Sequence, residues 1–232
     1  MRRAGAARAS LWAGIAAILL MLYLPLLPPV LFSIAPEHAG EGPVTLRWYG
    51  EIWESELLSG AIATSLEAGA IVAVVTPVLS LAAAMAIREL RMPRLLLLLV
   101  LLPLFVPGVS MGLATAFFFR ILGIAPSLVT IAMVQTLWAL PFATLVVLTA
   151  MSSFDPVYLE AAYMAGANRW RAFRDIELPL IRPGISGAAT FSLILSFNET
   201  IRTSIVQGPL NTVQTYIWST YREVGLSPSL YA

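Results

Sequence analysis

The sequence predicts an all-α polytopic membrane helix bundle, and three observations predict it. Hydrophobic residues make up 59% of the 232-residue chain and charged ones only 12%, against roughly 45–50% and about 25% in an ordinary globular protein. A soluble fold of this length could not hide that much apolar surface, because surface-to-volume scaling bounds what it can bury. The mean hydropathy of +0.83 matches a chain whose main solvent is lipid. The apolar residues also fall into five stretches, each near the roughly 20 residues that cross a hydrocarbon core of about 30 Å.

The first span covers residues 11–33 and holds no charge. The second, residues 57–87, is interrupted only by Glu67. Residues 95–119 and 128–150 form the third and fourth, both charge-free. The fifth, residues 184–207, is apolar as far as Asn198 and polar beyond it. Prolines recur inside these spans at Pro25, Pro28, Pro29, Pro77, Pro103, Pro107 and Pro141. Neighbouring helices and hydroxyl side chains can satisfy the carbonyls they free. Gly69, Ala70, Gly108, Gly112, Ala114, Gly187 and Ala188 supply the small surfaces that close helix packing needs.

Arginine placement sets the orientation. Arg2, Arg3, Arg8, Arg88, Arg91, Arg94, Arg169, Arg171, Arg174 and Arg182 fall on one side, and Arg47, Arg120, Arg202 and Arg222 on the other. The ten-residue side is cytoplasmic, so the N-terminus is inside and the acidic 34–56 loop outside. A cleavable signal peptide is the competing reading of the first span. Its apolar region would be only about 7–15 residues, and the Ser33-Ile34-Ala35 site is followed by Pro36. A retained anchor is favoured.

Three absences exclude classes of chemistry. The chain has no Cys, one His (His38) and no Lys. Thiolate sites, paired-His metal sites and a Walker A lysine therefore cannot be built. Schiff-base catalysis fails for the same reason. No catalytic residue, cofactor site, metal site or nucleic-acid partner is expected. If ATP drives this chain, another chain hydrolyses it.

Residues 152–183 form a long cytoplasmic loop that reads as two short helices. Asp155-Pro156 is a start signal, Gly166 a stop, and Asn168 a second cap. Trp170, Phe173 and Ile176 then recur every three residues on one face, with Arg169, Arg171 and Arg174 around them, and Pro179 is expected to end the helix. An amphipathic loop resting on lipid headgroups would share that composition. The residue order goes further. Glu160-Ala161-Ala162, three residues, Gly166, nine residues, Ile176, one residue and Leu178-Pro179 match all seven fixed positions of a known pattern. It resembles the EAA loop of type I ABC importer permeases. Leu46-Arg47-Trp48-Tyr49, Ser196-Phe197-Asn198-Glu199 and Gly208-Pro209 are similar to segments of the spermidine/putrescine-type permease subunits.

The resemblance covers the chain from about residue 11 onward. It implies a multi-pass subunit in a bacterial inner membrane, transporting a polyamine or similar small solute. The implied partners are an ATP-binding subunit, present as a dimer, a second permease subunit, a periplasmic substrate-binding protein and the bilayer itself. Glu160, Ala161, Ala162, Gly166, Trp170, Phe173, Ile176, Leu178 and Pro179 would form the surface that docks on the ATPase. Small alanines permit close approach, and the apolar stripe would be buried by the partner.

Glu67, Asn198 and Glu199 are the candidates for lining the passage, since an ionisable group at depth marks a pathway or a buried pair. Pairing of Glu199 with Arg202 at i, i+3 is the alternative. Polyamine-type members often carry Asp where this chain has Asn198. Trp48, Tyr49 and Trp53 read as an interfacial belt, and His38 as solvated. Asn211 to Val224 forms an amphipathic helix ending at Gly225, and Ser227-Pro228 reads as a fresh helix start. Permeases of the resembled family continue into a sixth span, so five of an expected six are present and the chain reads as truncated. A self-sufficient secondary carrier is the alternative reading, for which internal repeats and paired broken spans are expected. An intramembrane enzyme would need a nucleophile–base set that is not visible.

Overall fold

The computed structural model describes residues 2–36 and 44–225, with side chains from Leu11 onward. His38, Glu37, Glu41 and Ser227-Pro228 lie outside the described residues. Every described element is helical. The chain divides into two compact units, Met1–Ser59 with Ile217–Ala232, and Gly60–Tyr216.

In the first unit, α1 (Arg2–Tyr23) runs through a 3₁₀ turn, Leu24–Leu26, into α2 (Leu27–Ser33). Pro25, Pro28 and Pro29 all fall in first turns, where a missing N–H is tolerated. The side chains from Leu11 to Phe32 are almost all exposed, as befits a span solvated by lipid. Helix α3 (Arg47–Glu54) follows. The indole of Trp48 donates to the Ala35 carbonyl at 2.9 Å, and the hydroxyls of Tyr49 and Ser33 lie 2.9 Å apart. Trp48 is thus buried against the end of the first span, while Tyr49 and Trp53 stay exposed.

The second unit contains the packed bundle. Helix α4 (Glu56–Glu89) is 34 residues long with Pro77 inside it. Its buried stripe is small and recurs every three or four residues: Ala61, Ser65, Ala68, Val72, Thr76, Ser80, Ala84, Ile87. That is a helical period built for close approach. Helix α7 (Leu128–Ser152) has Thr130, Ile131, Val134, Gln135, Ala139, Ala143 and Val147 at or near zero exposure, and is the most enclosed. Packing against α10 (Leu178–Phe197) brings backbones nearly into touch: a Cβ on Gly184 would fall 2.2 Å from the Ala150 Cβ. Ala84, Ala143, Val147, Met151, Ile181 and Ala188 form one core cluster across α4, α7 and α10.

Two stretches depart from straight spans. The third is not one helix: α5 (Pro93–Leu101) and a 3₁₀ turn, Leu102–Phe105, are followed by α6 (Gly108–Ile121) at a bend of 104°. Pro107 disfavours helical geometry at Val106, which is extended at φ −90, ψ 123. The fifth ends early at Phe197, and after a break at Asn198–Thr200 a short α11 (Ile201–Val206) follows. By length and composition, four helices among the described residues can cross a membrane, or five when the bent pair counts as one span. Helix α12 (Val213–Val224) ends as expected at Gly225, whose φ is +83.

Candidate functional site

The loop after α7 is built from local signals. Asp155 Oδ1 accepts from the Val157 amide at 2.9 Å and so starts α8 (Val157–Met164). At its other end Gly166 takes φ +84. The Ala167 amide reaches back to Ala162 O and the Gly166 amide to Tyr163 O, both at 3.0 Å. That is a Schellman stop, in which the left-handed residue favours Gly. Asn168 Oδ1 then accepts from the Arg171 amide at 2.8 Å and caps α9 (Arg169–Ala172).

Pro179 does not end the helix that follows. Phe173–Glu177 forms a π turn, and the chain runs on into α10, giving one helical stretch from Arg169 to Phe197. The π turn resets the hydrogen-bond ladder, so Pro179 falls in the first turn of α10, where its missing N–H is no loss. The loop's second helix is therefore continuous with a membrane-length helix.

Glu160 and Ala161 are exposed on α8, while Ala162 faces inward and is buried. Trp170 is exposed, and Phe173, Ile176 and Leu178 are half-buried. Trp170 and Phe173 share one side of the helix, with ring centres 5.9 Å apart. The expected stripe is thus only partly offered to solvent. Val157, Tyr158 and Met164, which sequence reasoning passed over, are exposed instead, Met164 at 90%. Exposed apolar side chains of this kind are candidates for cover by a partner or by lipid. Nothing lies within 4 Å of a Cβ built on Gly166, so the apex between the helices is open.

The membrane charges divide. Glu67 on α4 and Asn198 at the end of α10 are exposed, the Asn198 amide donating to Ile194 O at 2.7 Å. Glu199 is buried, and both its oxygens go to Arg202: Oε2 to Nη1 at 2.7 Å and Oε1 to the backbone amide at 2.8 Å. The Arg202 guanidinium also stacks on Trp138 and donates to Met111 Sδ at 3.3 Å. Among the described residues no hydrogen bond or ion pair joins Glu67, Asn198 and Glu199 to one another.

Sequence reasoning missed Gln135, a polar residue in a charge-free span. It is 1% exposed, donates to Thr203 at 3.0 Å and accepts from Ser196 at 2.6 Å. It therefore ties the segments on both sides of the Asn198–Thr200 break to α7. Its signal was a lone amide in an apolar span, which lipid would not tolerate unpaired.

Residues 77–224 match the family described as binding-protein-dependent transport system inner membrane component. The chain belongs to this family. It is an inner-membrane permease subunit of a binding-protein-dependent importer, and a transport subunit rather than an enzyme. Among its relatives, the spermidine/putrescine transport system permease protein PotC of Escherichia coli (strain K12) is 26% identical, over 93% of this chain and 83% of PotC. The trehalose transport system permease protein SugB of Mycobacterium tuberculosis (strain CDC 1551 / Oshkosh) is 31% identical, over 84% of this chain and 74% of SugB. The permease fold is shared with a bacterial ABC transporter that imports the acidic polysaccharide alginate: TM-score 0.75, 16% identity, 99% of this chain and 89% of that one. A second structure of a bacterial alginate ABC transporter, in complex with a pentasaccharide-bound periplasmic protein, gives TM-score 0.76 and 19% identity over 99% and 87%.

Proposed function

We propose that this permease subunit couples to a separate ATP-binding subunit through residues 152–183, and moves a cationic small solute of the polyamine class delivered by a periplasmic binding protein. The observation that carries the coupling is the loop itself. Two capped helices meet at an open left-handed Gly166, carry exposed apolar side chains, and continue into α10 without a stop. A groove on the ATPase would bury Met164, Trp170 and Ala161 around Glu160, and Phe173, Ile176, Leu178 and Pro179 would lie at the base of that contact. A second permease subunit would complete the bundle, with the arginine-rich N-terminal side in the cytoplasm.

The cationic substrate is supported by Glu67. An exposed carboxylate eleven positions into α4 is costly against lipid, and is better placed against an aqueous passage shared with the second permease subunit. Asn198, also exposed, would supply a neutral ligand. Glu199 would act at one remove, by holding Arg202. PotC and SugB carry polyamine and sugar names respectively, and the carboxylate favours the first.

The test is co-purification and hydrolysis. Detergent extracts of cells making this chain with its partners should yield an ATP-hydrolysing subunit bound to it. Gly166→Val should leave insertion intact while abolishing transport-linked stimulation of hydrolysis. Normal stimulation in that variant would sink the coupling reading.

A further inference from the structure

Glu177 fills the one unspecified position between Ile176 and Leu178-Pro179, and no motif gives it a role. Its side chain is 3% exposed and meets the Arg88 guanidinium with both oxygens: Oε1 accepts from Nη1, and Oε2 from Nη2 at 3.3 Å. Arg88 stands in the last turn of α4. Arg88 also lies 3.5 Å from Glu89, whose Oε2 accepts from Arg169 at 3.4 Å. A chain of alternating charge therefore runs from the base of the loop to the start of α9, by way of the end of α4.

The two links differ in strength. Arg169 is 83% exposed, and an ion pair in water contributes little. Glu177 is enclosed, so its carboxylate without Arg88 would be a buried, uncompensated charge. A guanidinium gripping both oxygens is also fixed in direction, which a single contact is not. The π turn at Phe173–Glu177 adds a residue to the helix and so re-aims the side chains at its end; such turns recur at functional sites.

Beside this pair the loop does not close on α4. An open groove of about 660 Å³ separates Leu81 and Met85 of α4 from Leu159, Tyr163 and Trp170 of the loop. One turn further on, Ile181 of α10 packs in the same cluster as Ala84. The Arg88–Glu177 pair is thus an enclosed polar contact between the loop and α4 beside this groove, and the Arg169–Glu89 pair an exposed one.

We propose that the Arg88–Glu177 pair is the strut by which displacement of the loop is passed to span helix α4, which makes Glu177 a positioning residue for coupling. The proposal rests on the reading that the loop docks on an ATPase. Apolar packing across an open groove would yield when the loop is pushed. A two-point ion pair between a π turn and a helix end moves both together.

The experiment uses the whole importer in proteoliposomes, with its binding protein, and reads the ratio of stimulated to basal ATP hydrolysis per assembled complex. The double substitution Arg88→Met/Glu177→Met removes both charges, so neither is left buried alone. Assembly and basal hydrolysis should be retained, while stimulated hydrolysis and transport should fall about tenfold. The swap Arg88→Glu/Glu177→Arg should restore most of the stimulation. An unchanged ratio in the double methionine variant would overturn the strut. If that variant fails to assemble, the swap decides: stimulation recovered supports the strut, and stimulation lost in an assembled complex overturns it. Failure of the unaltered chain to retain an ATP-binding subunit would instead overturn the docking reading, and the strut with it.

Discussion

The Arg202 guanidinium carbon lies 3.9 Å from the centre of the Trp138 ring, and its Nη1 meets Glu199 Oε2 at 2.7 Å. The guanidinium therefore meets the Trp138 ring of α7 and, through Nη1, its own carboxylate partner, just past the break that ends α10. Gly108, the first residue of α6, completes the enclosure, since a Cβ there would sit 3.4 Å from the guanidinium carbon. One charged side chain thus holds together both interrupted spans, at 102–107 and at 198–200.

Removing that cation should be among the most damaging single changes in the bundle. Arg202→Met leaves Glu199 buried and unpaired, at roughly 3–5 kcal/mol. Trp138→Leu removes only the stacking, about 2 kcal/mol when desolvated. Apparent unfolding temperatures in detergent should rank wild type, Trp138→Leu, Arg202→Met in falling order. The reverse order of the two variants would show that Glu199 does not depend on Arg202.

Helix α10 offers a matched pair of glycine tests. A Cβ on Gly184 would lie 2.2 Å from Ala150 Cβ, whereas one on Gly187 would meet only Val146 Cγ1 at 3.6 Å. Gly184→Ala should destabilise by about 1–3 kcal/mol through overpacking, and Ala150→Gly should recover part of that loss. Gly187→Ala should be neutral or mildly stabilising, because alanine is the better helix former. Melting of the solubilised variants reads the difference.

Gln135 tests the polar fastening of the break. Gln135→Leu removes two hydrogen bonds and leaves Ser196 and Thr203 without them. Interhelical hydrogen bonds in membranes average about 0.6 kcal/mol, so a total loss near 1 kcal/mol is expected. Adding Ser196→Ala and Thr203→Val to Gln135→Leu should lose less than the sum of the three changes, since the groups act as one network. Strict additivity in thermal shifts would argue against a shared network.

Glu67→Gln separates substrate charge from packing. With an exposed side chain, the change should leave the yield of assembled importer unaltered. Uptake of a cationic polyamine should fall about tenfold, the effect of roughly 1.4 kcal/mol at the passage. Uptake unchanged in radiolabel assays would remove Glu67 from the passage.

The helix ends of the loop were legible in the sequence because they are local. Asp155, Gly166 and Asn168 each satisfy backbone groups within a few residues, so type and spacing carry the information. Pro179 was misleading for the converse reason. Its effect depends on the hydrogen-bond register set by the π turn before it, and no residue at Phe173–Glu177 announces that turn. The break in the third span had a visible cause in Pro103 and Pro107, but its 104° angle follows from what α6 packs against.

Sequence by itself determined the membrane class, the absence of a lysine-dependent ATP site and the seven-position loop pattern by which the chain resembles its family. These depend on composition, length and short-range order, each readable along one dimension. Only the tertiary structure decided which charges meet. Arg88 and Glu177 are 89 positions apart, and Arg202 reaches Trp138 and Met111 across helix faces that no periodicity pairs. A buried charge is defined by what surrounds it, so the sequence leaves Glu199 open between the passage and a pair with Arg202 at i, i+3, and the structure gives the pair. That physics separates Glu67, left exposed on α4, from Glu199, and it raises Glu177 from an unspecified motif position to the link between loop and span.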